Sequence, residues 1–163
     1  PASAQGAWLE QRAGDSPLAR PPVIYVLDAS VLVKWFVEEP DTSQALSLKT
    51  AHLEGTCEVA SLDFALLEVA NALQRSKGFS LAEITRCCDE LYTLDLDLVA
   101  LLPDVVHAAV ELAARWNQTV YDAAYLALAR ALDAPLITAD RAFLTAVATL
   151  RCSRLLTEFS VSP

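Results

Sequence analysis

Residues 23–36 read VIYVLDASVLVKWF, and this stretch decides how the rest of the chain is interpreted. Five of its first six residues are apolar or aromatic, which is typical of a buried β-strand. Asp28 then stands at the point where the strand gives way to a helical pattern. A carboxylate at the edge of a core costs free energy unless a hydrogen bond or a cation uses its charge. Asp28 is therefore the first candidate for a functional residue.

The change from strand to helix recurs along the chain. Further strands are predicted in CEVA, LDLVALL, PLITAD and SRLLTEF. The first two predicted helices are SVLVKWFVEE and a segment that is capped by Asp41 or Thr42 and ends near Gly55. The next two are SLDFALLEVANALQRSKG, with Ser61 as its cap, and SLAEITRCCDELYTL, with a Ser80–Glu83 capping box. The last three are a segment after Pro103, VYDAAYLALARAL and RAFLTAVATL. This alternation predicts an α/β fold with a parallel sheet of about five strands between helices, and ligand sites at the carboxyl ends of the strands.

Composition limits the function classes. The 163 residues suit one domain, and 54% of them are hydrophobic. The net charge of −9 argues against coating nucleic acid by charge neutralisation, but not against an enzyme that uses metal cations. No apolar run or signal peptide predicts membrane association, so a cytoplasmic protein is expected. Four cysteines without a Cys-x-x-Cys pair argue against zinc, and the lack of a Gly-rich loop argues against P-loop or dinucleotide binding.

Residues 1–22 differ from the remainder. They contain four of the eight prolines and two of the four glycines, and they show no periodic apolar pattern. A disordered arm or a cloning remnant is predicted there, with one folded domain occupying residues 23–163.

Four acids stand in apolar surroundings: Asp28, Glu68, Asp122 and Asp140. Each has a structural explanation. The three aspartates sit where helices begin, and Thr119 and Ser30 are nearby alternative caps. Glu68 lies on a mostly apolar helix face, where Asn71, three residues on, offers it a polar partner.

Taken together, the four acids predict a shared site in addition to their roles as helix caps. Asp28 and Asp140 follow strands, so both lie at the carboxyl edge of the sheet. If the helix of Asp122 begins at that edge, the carboxylates converge, and two charges about 5 Å apart repel by roughly 3 kcal/mol at an effective dielectric near 20. Either some of them are protonated, or a divalent cation lies between them. Oxygen ligands select Mg²⁺ or Mn²⁺.

Four stretches carry a resemblance to a known family: YVLDASVLVKWF, LLEVANAL, TVYDAAYLALA and LITADRAF. In order and spacing, over about residues 23–160, the chain resembles PIN-domain ribonucleases of the VapC type, the toxins of toxin–antitoxin pairs. The resemblance implies a three-layer α/β/α fold, a homodimer, an antitoxin partner and an RNA substrate. It also implies that the four acids form the catalytic metal site, holding Mg²⁺ or Mn²⁺, and that Ser30 and Thr138 line it.

A metal-dependent endoribonuclease is therefore the function predicted from the sequence. One alternative is a phosphatase with Asp28 as its nucleophile, although the second aspartate typical of such enzymes is replaced by Ser30. The other alternative is a non-catalytic module that binds a partner and uses the four acids only as caps. Metal binding separates these readings.

Overall fold

The computed structural model describes residues 23–150 and 152–159. The arm predicted at residues 1–22 lies outside these described residues.

The core of the protein is a five-stranded sheet in which every neighbouring pair is parallel. Its strands are β1 (Val23–Leu27), β2 (Cys57–Leu62), β3 (Asp97–Val99), β4 (Leu136–Thr138) and β5 (Ser153–Leu155). They follow the order β3-β2-β1-β4-β5. The predicted parallel sheet of about five strands is confirmed. Because the chain moves outward from β1 to β3 and then returns to the other side of β1, the carboxyl end of β1 lies at a topological switch point.

Seven α-helices cover the sheet in the described residues. They are α1 (Ala29–Leu32), α2 (Thr42–Leu53), α3 (Ala65–Arg75), α4 (Leu81–Thr93), α5 (Pro103–Trp116), α6 (Val120–Ala131) and α7 (Arg141–Val147). None of them is long and apolar enough to cross a membrane.

Helix α6 is the most deeply packed of the seven. It contacts β1, β2 and β4 and pairs with α5, while α2 packs on β2 and α7 on β5. Residues 123–129 are all buried, and four of these seven are alanine, whose small side chain lets the neighbouring backbones approach closely. This arrangement is the predicted three-layer α/β/α fold.

Some predicted element boundaries are wrong. Ser61 does not cap a helix: it lies within β2, is fully buried and donates a hydrogen bond to the Leu27 carbonyl at 2.7 Å. Helix α3 begins only at Ala65. The helix predicted over residues 30–39 is α1 followed by a 3₁₀ turn at Val33–Trp35. Long-range hydrogen bonds and packing, which local pattern does not record, decide both differences.

Two of the predicted strands are shorter than expected. LDLVALL forms a strand only at Asp97–Val99, and SRLLTEF turns into a 3₁₀ helix at Leu156–Glu158. The Ser80–Glu83 capping box at the start of α4 is confirmed, with both of its hydrogen bonds present.

Candidate active site

The turn between β1 and α1 is built around Asp28. Its Oδ1 accepts a hydrogen bond from the Val31 amide at 3.2 Å, so Asp28 is the N-cap of α1. The Ser30 hydroxyl donates to the same oxygen at 2.5 Å and accepts from the Ala139 amide at 2.9 Å. The alternative cap predicted from the sequence, Ser30, does not cap α1, and its hydroxyl instead links the ends of β1 and β4.

The electrostatics of Asp28 are unusual for an aspartate. Although part of its surface is exposed, burial raises its pKa from 3.8 to about 6, against the lowering effect of hydrogen bonds from Ser30, Thr138 and backbone amides. In the described part of the chain, ion pairs join Lys34 to Glu39, Lys49 to Glu90 and Arg86 to Glu83. None of these involves a predicted site acid, so no basic side chain of residues 23–150 or 152–159 forms an ion pair with Asp28.

The end of β4 brings Asp140 to the same edge. Thr138 is fully buried, and its hydroxyl oxygen accepts from the Asp140 amide at 2.9 Å. Asp140 Oδ1 in turn accepts from the Phe143 amide at 2.9 Å and caps α7. The capping role predicted for Asp140 is confirmed, and its other oxygen, Oδ2, accepts no hydrogen bond from a described residue.

Glu68, in the first turn of α3, has a partner that the sequence did not reveal. Tyr125 Oη donates to Glu68 Oε2 at 2.5 Å. Burial raises the pKa of Glu68, the charge of Asp122 raises it further, and the Tyr125 hydrogen bond opposes both. The predicted partnership between Glu68 and Asn71 is wrong, because the Asn71 side chain is exposed and makes no hydrogen bond with a described residue.

Asp122 lies in the first turn of α6 and has a local partner. The Thr119 hydroxyl donates to Asp122 Oδ2 at 2.6 Å, and the Asp122 amide donates to the Thr119 hydroxyl oxygen at 3.1 Å. Thr119 is thus the N-cap of α6, as its spacing predicted. The ring of Tyr121, the residue before Asp122, lies 6.1 Å from the ring of Phe64, the N-cap of α3, so α6 begins near the start of α3.

The PIN domain family model matches residues 25–148 of the chain. The chain belongs to the PIN-domain family. It is also 34% identical over 120 residues to Ribonuclease VapC3 of Pyrobaculum aerophilum, and the aligned region covers 71% of this chain and 88% of that relative. The family resemblance expected from the four sequence motifs is confirmed.

Solved structures show the same fold. A toxin–antitoxin complex from Klebsiella pneumoniae matches with a TM-score of 0.62 at 19% identity, covering 83% of this chain and 99% of that one. VapBC2 from Rickettsia felis, bound to a DNA fragment from its promoter, matches with a TM-score of 0.61 at 16% identity, covering 82% and 97%. The three-layer arrangement of this PIN-domain protein is therefore shared with these structures.

In this PIN-domain chain, the predicted site residues fall into two groups. Hydrogen bonds through Ser30 and Thr138 connect Asp28 with the end of β4 and Asp140. The second group is Glu68 and Asp122, which are near enough for the charge of Asp122 to raise the pKa of Glu68. Within residues 23–150 and 152–159, no three histidine, cysteine, aspartate or glutamate side chains lie close enough to hold a metal ion. The four-acid metal site stays a prediction.

Tyr125 connects the two groups. Burial, the hydrogen bond to Glu68 and the charges of Glu68 and Asp28 all raise its pKa, so the phenol keeps its proton and remains a donor. Sequence reasoning missed Tyr125, although a signal was present. It follows Asp122 by three residues, a spacing that places both side chains on one face of a helix.

Proposed function

We propose that this protein is a metal-dependent endoribonuclease that hydrolyses RNA phosphodiester bonds as the toxin of a toxin–antitoxin pair. The observation that carries the proposal is Asp28, a desolvated carboxylate at the switch point of a PIN-domain sheet. No basic side chain among the described residues forms an ion pair with it. A relative at 34% identity is named a ribonuclease, which supports the choice of RNA.

The donor set fits Mg²⁺ or Mn²⁺. Asp28, Asp122 and Asp140 offer oxygen ligands, with Glu68 acting directly or through water, and no nitrogen or sulfur ligand is present among them. The desolvated carboxylate of Asp28 gains most from a neighbouring cation, because its charged form is disfavoured by burial. A bound ion would supply charge stabilisation at the phosphate and a more acidic attacking water.

The hydrogen bonds around the acids suit this role. Glu68, Asp122 and Asp140 each use one oxygen for a protein donor, at Oε2, Oδ2 and Oδ1 respectively. Their second oxygens accept no hydrogen bond from a described residue, so they are open to a metal or a water. Ligand carboxylates in metal sites are typically oriented by such outer hydrogen bonds.

Glu68 is the residue proposed to handle the proton. Burial and the charge of Asp122 raise its pKa, which makes it a better base for an attacking water. Its Oε2 is held by Tyr125, so Oε1 is the oxygen that accepts the proton. Water attacks phosphorus directly as the bond from phosphorus to the leaving ribose oxygen breaks, that oxygen takes up a proton, and no covalent enzyme intermediate is needed.

Single-stranded or looped RNA is the proposed substrate. Unpaired bases can be read by side chains, whereas a protein of charge −9 is poorly suited to gripping a duplex by its backbone. Arg141, exposed beside Asp140 at the first position of α7, is placed to contact a phosphate near the proposed site.

An antitoxin and a second copy of the chain are the proposed partners, with the cytoplasm as their shared location. An arginine of the antitoxin would pair with the site carboxylates by charge-assisted hydrogen bonds. Solved structures of the same fold are toxin–antitoxin complexes, which supports this partner. An exposed apolar stripe on and just before α5, made of Leu102, Val106 and Val110, supports a homodimer contact.

The confirmed caps favour a second candidate, the non-catalytic binding module. Asp28 and Asp140 both cap helices, and that role alone accounts for their positions. The phosphatase alternative gains no such support, because Ser30 stands where its second aspartate is needed.

Metal binding and RNA cleavage distinguish these functions. We expect calorimetry to detect Mn²⁺ binding at neutral pH, and we expect Asp28→Asn and Asp122→Asn to abolish it. Cleavage of a single-stranded RNA should require Mg²⁺ or Mn²⁺ and stop in chelator. A wild-type protein that gives no Mn²⁺ binding signal and leaves RNA intact would establish the binding module instead.

A further inference from the structure

Tyr125 holds the helix that carries Glu68 by both its ring and its hydroxyl. The side chain is 3% exposed, and its hydroxyl donates to Glu68 Oε2 at 2.5 Å. Its ring packs against Phe64 with a centroid separation of 5.3 Å. Phe64 is the N-cap of α3, and its carbonyl accepts from the Glu68 amide at 3.2 Å. Tyr125 therefore contacts both the carboxylate of Glu68 and the backbone turn that supports it.

Tyr125 also reaches the turn that carries Asp28. The Ala29 backbone lowers the pKa of the Tyr125 hydroxyl and the charge of Asp28 raises it, so this hydroxyl lies near the turn between β1 and α1. Ala29 is the residue directly after Asp28 and the first residue of α1. One phenol thus interacts with a site acid of each group, Glu68 and Asp28.

We propose that Tyr125 is a positioning residue that holds Glu68 by Oε2 and so leaves Oε1 available to a metal ion or to the attacking water, were they bound. This inference rests on the proposed metal-dependent cleavage. A glutamate side chain has three rotatable bonds, and a catalytic carboxylate must be held close to its productive geometry. The local partner predicted for Glu68, Asn71, is turned to solvent, so among the described residues only Tyr125 donates a hydrogen bond to this carboxylate.

The test compares two tyrosines of the same helix. Tyr125→Phe removes the hydroxyl and keeps the ring against Phe64. Tyr121→Phe is the matched control, because Tyr121 lies one turn earlier, is 68% exposed, also packs on Phe64 and makes no hydrogen bond with a described residue. Both variants are first checked for cooperative melting in chelator. We then expect Tyr125→Phe to raise the Kd for Mn²⁺ about tenfold, the usual scale for losing an outer-shell partner.

RNA cleavage provides a second readout. Tyr125→Phe should lower kcat about tenfold or more with little change in KM, since the phenol orients a reacting group and does not touch RNA. Tyr121→Phe should match wild type in Kd, kcat and KM.

A double-mutant cycle shows whether Tyr125 acts through Glu68. In a Glu68→Ala background, Tyr125→Phe should change the Kd for Mn²⁺ less than about twofold. An equal loss in both backgrounds, or a Tyr125→Phe protein with wild-type Kd and kcat, would overturn the inference while leaving the nuclease proposal intact. A wild-type protein that binds no Mn²⁺ would overturn both.

Discussion

Replacing Asp28 by asparagine should stabilise the metal-free protein at neutral pH. Asparagine keeps a side-chain oxygen for the Val31 amide and the Ser30 hydroxyl, which both bond to Asp28 Oδ1. It removes a charge that burial disfavours, as shown by a pKa raised from 3.8 to about 6. The effect of the substitution is therefore electrostatic more than geometric.

The size and sign follow from the linkage between proton binding and folding. Because the folded protein binds this proton more tightly than the unfolded chain, protonated Asp28 stabilises the fold below about pH 4, and that stability is lost as pH rises through about 6. The difference, 6 − 3.8 at 1.36 kcal/mol per unit, is about 3 kcal/mol at pH 7.5. About half of it develops between pH 5 and pH 7.5.

Urea denaturation in chelator measures this effect. The free energy of unfolding of Asp28→Asn minus that of wild type should increase by about 1.4 kcal/mol between pH 5 and pH 7.5. Other titrating groups occur in both proteins, so their contributions cancel in this difference. Asp140→Asn is the control, because its exposed side chain caps α7 and asparagine caps about as well.

One result would refute the reasoning: a difference between Asp28→Asn and wild type that stays constant from pH 5 to pH 7.5. It would show that the folded protein does not disfavour the Asp28 charge. Saturating Mn²⁺ should reverse the order of stability, since binding to the folded state stabilises wild type by mass action and the variant has lost a ligand.

Further outcomes are expected. Asp140→Asn should keep the free energy of unfolding of wild type within about 0.5 kcal/mol. Its rate of RNA cleavage should fall at least about a hundredfold, which corresponds to about 2.7 kcal/mol of transition-state stabilisation. Cleavage at the wild-type rate would exclude Asp140 as a metal ligand. His52→Ala should lower the free energy of unfolding by about 1–3 kcal/mol in urea melts, because the ring bonds the Val59 amide at 3.3 Å and the Leu94 carbonyl at 2.9 Å; an unchanged midpoint would contradict this. Co-expression with the adjacent gene product should yield a complex with suppressed cleavage, and free, fully active protein would argue against an antitoxin. Single-stranded RNA should be cut in preference to duplex DNA at matched salt, and equal rates would remove that preference.

Much of this protein was determined by local sequence. Asp140, Thr119 and the Ser80–Glu83 pair were recognisable as caps, because a capping hydrogen bond spans only three residues and depends on residue type. The parallel sheet was recognisable from the alternation of apolar strands with helices. Since the carboxyl ends of parallel strands share one edge, the nearness of Asp28 and Asp140 followed from the same pattern.

Only the tertiary structure decided how the acids are held. The bond from Tyr125 to Glu68 spans 57 residues, and the bond from the Ala139 amide to Ser30 spans 109. The first bond depends on α6 lying beside α3, and the second depends on β4 lying next to β1. The spacing of residues along the chain records neither arrangement. For the same reason Asn71, correctly spaced for Glu68 along the helix, turned out to face solvent. Helical periodicity says which side chains share a face, whereas the packing of the whole chain determines whether that face meets protein or water.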